Sequence, residues 1–163
     1  MASSMLIKND AMLLKTIGND LVKVIDDVSK WILNQIEQSL ISNVYNYPEG
    51  DYERLEQNGG LLGAWKKDAT EFIGNYISVN VGFDPSLLAY VPSLHQHGSL
   101  SEDRRQNMPQ LIEEAPSDGY DFGGSASIRR PFWDVIEKSL SDGSLDAALE
   151  SAFTRHGFVW QRM

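Results

Sequence analysis

The sequence contains no cysteine. That removes disulfide stapling, thiolate catalysis and cysteine-bound zinc, and leaves packing as the source of stability. No run of about 18 apolar residues occurs, so no membrane-spanning helix is expected. The first residues, MASSMLIKND, lack the basic region and apolar stretch of a secretory leader. These absences predict a soluble protein made in the cytoplasm. Positive charge is scarce as well: 14 Lys and Arg stand against 23 Asp and Glu, a net charge of -9. A surface of that sign repels a phosphate backbone. The two adjacent arginine pairs, Arg104-Arg105 and Arg129-Arg130, both have carboxylates close by in sequence, which argues against sequence-specific nucleic-acid binding.

What is present is one domain's worth of chain: 163 residues, 42% of them hydrophobic, enough to bury a core. From Asp10 to about Asn43, apolar residues recur at Leu14, Ile17, Leu21, Val24, Val28, Trp31, Ile32, Ile36 and Leu40, the three-and-four spacing of one helix face. Asn9 or Asp10 caps its start, residues 1–9 are a flexible lead, and no proline intervenes before Pro48. A helix of about 30 residues is about 45 Å long, longer than the roughly 35–40 Å expected across a domain of this size. It therefore either spans the whole domain or lies partly against a neighbouring chain. Gly18 is a soft spot for a kink, costing up to about 1 kcal/mol relative to alanine.

Residues 44–65 form a connector punctuated by Pro48, Gly50, Gly59 and Gly60, with room in DYERLEQ for a short helix capped by Asp51. Its tyrosines, Tyr45, Tyr47 and Tyr52, either fold back onto the long helix or face a partner. The string EFIGNYISVNVGF alternates from Glu71 to Phe83 as a half-buried strand does. Gly74-Asn75 reads as a hairpin turn joining Tyr76-Ile77 to an earlier strand at Trp65-Lys66, with one face of the sheet on the long helix. Residues 84–127 show little periodicity beyond a helical turn or two in MPQLIEEA, and read as an irregular loop or assembly arm. Pro131 then suits the first position of a helix, PFWDVIEKSL, that stops at Ser141-Asp142-Gly143. Ser144 caps a last helix whose buried stripe is Leu145, Ala148, Leu149, Ala152 and Phe153, closed by Gly157. The expected fold is α+β: a long N-terminal helix packed on a small antiparallel sheet, a long irregular loop, and two short C-terminal helices. Phe132 and Trp133 are expected to anchor the first of these to the long helix, with Arg130 covering the ring of Trp133 or Tyr120 or reaching a neighbouring subunit.

Chemistry-bearing constellations are few. His95-Gln-His97 places two imidazoles on one side of an extended chain, but spacing fixes no third ligand and a zinc site needs three or four. Hydrogen bonding or an interface role is the stronger reading, and a hydrolase built on this loop the weaker. No Gly-x-Ser-x-Gly elbow occurs, and Gly59-Gly60 and Gly123-Gly124 lack the setting of a phosphate loop. Glu113 and Glu114 point about 100° apart on a helix, unlike carboxylates that share a substrate, and read as solvated. His156 sits in a last helical turn, where the helix dipole favours it. No catalytic, cofactor-binding or metal residue is assigned, no cofactor is implied, and an enzyme is not expected.

Two stretches carry a resemblance. The first is Tyr47-Pro48, then Tyr52-Glu53-Arg54, then Gly60-Leu61-Leu62. The second is Arg130-Pro131-Phe132-Trp133 followed by a helix and a closing amphipathic helix ending Arg155-His156-Gly157. Together they resemble the head-tail joining and tail-completion proteins, the minor tail or minor capsid components, of long-tailed double-stranded DNA phages. The resemblance implies a structural virion protein of the neck or tail without enzymatic activity, acting as a ring or neck subunit through protein contacts. The implied partners are copies of itself and neighbouring connector, tail terminator or tail-tube proteins, with no membrane. The candidate subunit-interface residues are Tyr47, Tyr52, Arg54, His95, His97, Arg104, Arg105, Arg130 and Trp133. The alternative is a small acidic phage-encoded binding module that antagonises a host protein by occupying a basic surface.

Overall fold

The computed structural model describes residues 10–46, 57–73, 76–89, 105–114 and 130–159. Helix α1 runs unbroken over Asp10–Leu40 and widens into a π-helical turn at Ile41–Tyr45, closed by a hydrogen bond from Asn46 N to Ile41 O of 3.0 Å. Its buried line is Val24, Val28, Ile36, Leu40 and Val44. Steps of four residues overshoot a helical turn by about 40° each, so this line winds about halfway round the helix along its length. The consequence is two cores on one helix. Val24 and Val28 pack with Ala152 near the middle of α1, while Ile36, Leu40 and Val44 join the larger core, and Ile32 touches both. The chain's own elements thus cover α1 from the Gly18 region to Val44. Gly18 is not a kink. It is buried, and a Cβ there would stand 2.7 Å from Cζ of Phe72, so its lack of a side chain admits an aromatic ring.

The sheet is a two-stranded ribbon made of two nested antiparallel pairs. Strands β1 (Trp65–Lys67) and β4 (Val81–Phe83) pair at the base, with Trp65 opposite Phe83, and β2 (Glu71–Ile73) and β3 (Tyr76–Ser78) pair at the tip, with Ile73 opposite Tyr76. Between them Asp68 N donates to Asn80 O at 2.8 Å and Asn80 Nδ2 to Asp68 Oδ2 at 3.1 Å. The expected pairing of Trp65-Lys66 with Tyr76-Ile77 is therefore wrong. A two-residue loop pairs the residues directly flanking it, so Gly74-Asn75, which lie outside the described residues, separate strands that pair Ile73 with Tyr76, and Trp65 is left for Phe83. Within the single alternating strand expected over Glu71–Phe83 the described residues form β2, β3 and β4, with Val79-Asn80 between the last two. The ribbon does pack on α1 through β1, β3 and β4, and Lys67 of β1 forms an ion pair with Asp26 of α1.

Helix α2 (Met108–Glu114) confirms the helical reading of MPQLIEE and contributes Met108 and Ile112 to the larger core. Pro131 stands one position before the helix, not in it. Its φ of -76° and ψ of 62°, with a 2.7 Å bond from Phe132 N to Arg130 O, form a three-residue inverse turn that feeds α3 (Phe132–Ser141). Helix α4 (Ser144–Arg155) follows a left-handed Gly143, φ 96°. Ser144 is not its side-chain cap. Asp142 accepts the Ser144 N–H at 2.9 Å instead, the short turn that aspartate makes two residues upstream. The far end is a full C-terminal lock. Gly157, at φ 84°, donates to Thr154 O at 3.1 Å, Phe158 N donates to Phe153 O at 2.9 Å, and the Phe153 and Phe158 rings meet edge to face at 5.7 Å. The architecture is α+β as expected from the sequence.

Candidate functional site

Trp133 is the candidate interface residue that the fold surrounds with other unusual groups. Its neighbour Phe132, fully buried, sets the register: Ser39 of α1 donates to the Phe132 carbonyl at 2.6 Å, which fixes the first turn of α3 against the long helix. The expectation that both aromatics anchor α3 to α1 holds for Phe132 alone. Trp133 turns to the ribbon and stacks on Trp65 of β1, ring centroids 5.7 Å apart and planes inclined by 18°. Trp65 in turn touches Phe83 at 5.7 Å and the edge of Phe132 at 6.5 Å. The indole N–H of Trp65 is buried and meets no hydrogen-bond acceptor.

The N-terminus of α3 is satisfied from outside the helix. Glu113 of α2 is half-buried and accepts the Trp133 backbone N–H through Oε2 at 2.8 Å. A carboxylate there meets both an orphan donor and the positive end of the helix dipole. Glu113 is therefore not the solvated acid expected. Glu137, one turn along α3, accepts the Trp133 indole N–H at 2.9 Å. Between β1, α2 and the start of α3 lies a cleft of about 330 Å³ lined by Trp65, Pro109, Gln110, Glu113, Phe132 and Trp133. Its walls are chiefly apolar, with the Glu113 carboxylate among them bonded to the Trp133 backbone N–H.

Of the other candidate interface residues, Tyr47, Tyr52, Arg54, His95, His97 and Arg104 lie outside the described residues. Arg105 is half-buried just before α2. Arg130 corrects an expectation: it is only 4% exposed, is not without partners, and so does not present its charge to a neighbouring subunit. Among the connector tyrosines Tyr45 folds inward, accepting the Leu62 N–H at 3.2 Å and packing on the larger core.

A second polar cluster joins α4 to the middle of α1. His156 caps α4, its backbone N–H shared between Ala152 O and Phe153 O at 3.2 Å each, and its Nε2 reaches Asp27 Oδ2 at 3.1 Å. The same oxygen accepts from Arg155 Nη1 at 2.8 Å. Burial pushes the Asp27 carboxyl up, but the bonds from His156 and Arg155 outweigh it and hold the group below its usual range. The cluster is a clasp between helices, and removing its centre by Asp27→Asn is expected to lower the unfolding free energy by about 1–2 kcal/mol, measured by denaturant titration at neutral pH. The spacing of sequence neighbours Arg155 and His156 gave no sign of Asp27, since that contact is purely tertiary.

Further aspartates are shifted in the same direction. Asp84 is brought down to about 2 by bonds from Lys66 and Ser86, and Asp26 and Asp142 are also lowered, by Lys30 with Lys67 and by Ser144 respectively. A carboxyl whose folded value is depressed adds stability that is complete above the unfolded value near 3.8 and is lost as pH falls toward the folded value. The melting temperature is therefore expected to fall steeply between about pH 4 and pH 2, and Asp84→Asn is expected to flatten that fall. Equal slopes for the two proteins would refute the assignment.

No group of three or more His, Cys, Asp or Glu that would hold a metal occurs among the described residues, and no helix among them is long and apolar enough to cross a membrane. The described residues that line the aromatic cleft bring together no nucleophile with a base. Sequence reasoning found Trp133 but missed Trp65, Glu113 and Glu137, which reach it from β1, from α2 and from one turn along its own helix. The last was the only one with a local signal, an i, i+4 pairing on one face. No protein-family model, curated protein or solved structure matches the chain.

Proposed function

We propose that the chain is a structural protein of a long-tailed phage neck or tail, for head-tail connection or tail completion, working as a ring subunit through protein contacts. The observation that carries this reading is the tip of the ribbon. Ile73 and Tyr76, cross-strand partners in the β2–β3 pair, are 44% and 61% exposed, and Phe72, whose ring lies over Gly18 of α1 on the other face, is still 49% exposed; all three stand outside either core. Exposed large apolar side chains on neighbouring positions support a contact surface rather than a core. The Tyr-Pro, Tyr-Glu-Arg and Arg-Pro-Phe motifs add the resemblance to head-tail joining proteins. In that family reading, Arg130-Pro131-Phe132 serve the subunit's own fold, since Arg130 and Phe132 are buried, while the ribbon tip serves assembly.

The test is peptide mass spectrometry of purified particles, with antibody labelling to place the chain along the virion. Its presence at the neck or tail is expected, together with flanking portal, connector and tail-tube genes. A gene among early functions and absence from particles would instead favour the acidic host-protein antagonist, the reading that the net charge of -9 keeps in view.

A further inference from the structure

We infer that Asn58-Gly59 is a site of spontaneous covalent modification, at which the asparagine loses its side-chain nitrogen to give aspartate and isoaspartate with water as the only co-reactant. The site needs no partner protein and is the same wherever the chain works. It is the only Asn-Gly in the sequence. Asn58 is exposed, in the turn that leads into the 3-10 turn Leu61–Ala64, and its amide makes no hydrogen bond among the described residues. The fold cannot trade the glycine away. Gly59 has φ 93°, and a Cβ there would stand 2.3 Å from the Cβ of Ala89, whose N–H donates to Gly59 O at 2.8 Å. An asparagine that nothing holds is thus followed, of structural necessity, by the one residue with no side chain to crowd attack on its amide.

The Gly59 nitrogen, giving up its proton to base, attacks Cγ of Asn58. A bond forms between them, the Cγ–Nδ2 bond breaks, and the side-chain nitrogen leaves as ammonia, so that a cyclic imide remains. Water opens this ring on either side. Cleavage between the Gly59 nitrogen and Cγ gives aspartate; cleavage between that nitrogen and the main-chain carbonyl carbon of residue 58 gives isoaspartate, whose backbone runs through Cβ and Cγ. Either product adds a negative charge to the chain's -9, but only isoaspartate lengthens the backbone. The added carbon enters a joint held on both sides, because the Gln57 carbonyl oxygen lies 2.1 Å from where a Cβ of Gly63 would stand and the Gly59 carbonyl holds Ala89. Comparable positions are protected. Asn43 and Asn80 donate through Nδ2 to Ser39 O and Asp68 Oδ2, at 2.9 Å and 3.1 Å, and each precedes a valine whose branched side chain crowds the ring. Asn19 and Asn34 lie inside α1, where the following N–H is committed to the helix ladder. Asp142-Gly143 is exposed and its glycine has φ 96°, yet the carboxylate accepts the Ser144 N–H at 2.9 Å, and the bonds from Ser144 keep it ionised and therefore a poor electrophile.

The experiment incubates the full-length protein in mildly alkaline buffer, folded in one sample and unfolded in urea in the other. Both are followed by ion exchange, by mass spectrometry of the tryptic peptide Leu55 to Lys66, and by methyl acceptance from a protein isoaspartyl methyltransferase. The folded protein is expected to yield a species one charge more acidic, modified in that peptide and methylated by the enzyme, and Asn58→Gln is expected to lose that species. The isolated isoaspartyl form is expected to melt at least about 2 °C below Asn58→Asp, which carries the same charge on a backbone of ordinary length. No acidic species from the folded protein in the time that the urea sample forms it, or modification centred on Asp142 instead, would overturn the site. Equal melting of the isoaspartyl form and Asn58→Asp would overturn its effect on the joint at Ala89.

Discussion

Replacing Phe132 by alanine is expected to lower the unfolding free energy by about 3–5 kcal/mol, read from the midpoint of a urea or guanidinium titration. The ring is fully buried and belongs to the larger core with Ile36, Leu40, Leu61, Met108 and Ile136. Its loss removes contacts with α1, with α2 and with the edge of Trp65 together, at the point where Ser39 holds the backbone of α3. Domains of this kind hold about 5–15 kcal/mol in total, so the variant should be near the limit of folding. A change below about 1 kcal/mol would mean that the side chain is not packed as described and is used for another contact.

Gly63→Ala is expected to be nearly as damaging, by about 2 kcal/mol or more, although it adds a single methyl group. Gly63 lies in the 3-10 turn Leu61–Ala64, and a Cβ there would stand 2.1 Å from the carbonyl oxygen of Gln57 and 2.8 Å from its carbon. The obstacle is backbone, which has no rotamer to move away. Gly82→Ala is the internal comparison. There the new carbon would meet only the Asn80 amide at 3.7 Å and 3.9 Å, ordinary contact distances, so the effect should be neutral or stabilising by up to about 1 kcal/mol. Similar losses at both glycines would show that flexibility and not space decides at Gly63.

The elements that were legible in the sequence are those whose pattern is local. The three-and-four spacing from Val24 to Leu40 is enough to draw α1, and the Phe153, Gly157 and Phe158 arrangement at the end of α4 follows from one turn of chain. The hairpin was half legible. The alternation of Tyr76–Phe83 drew the eye to one long strand and a partner too far upstream, whereas Tyr76 pairs with Ile73 and Trp65 with Phe83. The cleft was scarcely legible. Glu113 looks like an ordinary helix-surface acid until the N-terminus of α3 is placed against it, and nothing local connects Trp65 with Trp133. Such contacts are decided by how helices and ribbon pack, a property of the assembled chain. Arg130 shows the reverse error: an arginine beside a proline and two aromatics suggests a surface, and burial among partners is invisible until the fold closes over it.

Because α1 serves two cores in succession, the protein need not open all at once. Helix α4 rests on α1 through the small cluster of Val24, Val28 and Ala152 and the Asp27 clasp; it also meets α3, and Ile32 of α1 packs against both cores. Amide protons in α4 should accordingly exchange through a partial opening of lower free energy, while those of Leu40 and Ile136 wait for global unfolding. The long helix then acts as a common spine on which the closing helix can lift and reseat while the aromatic centre stays intact.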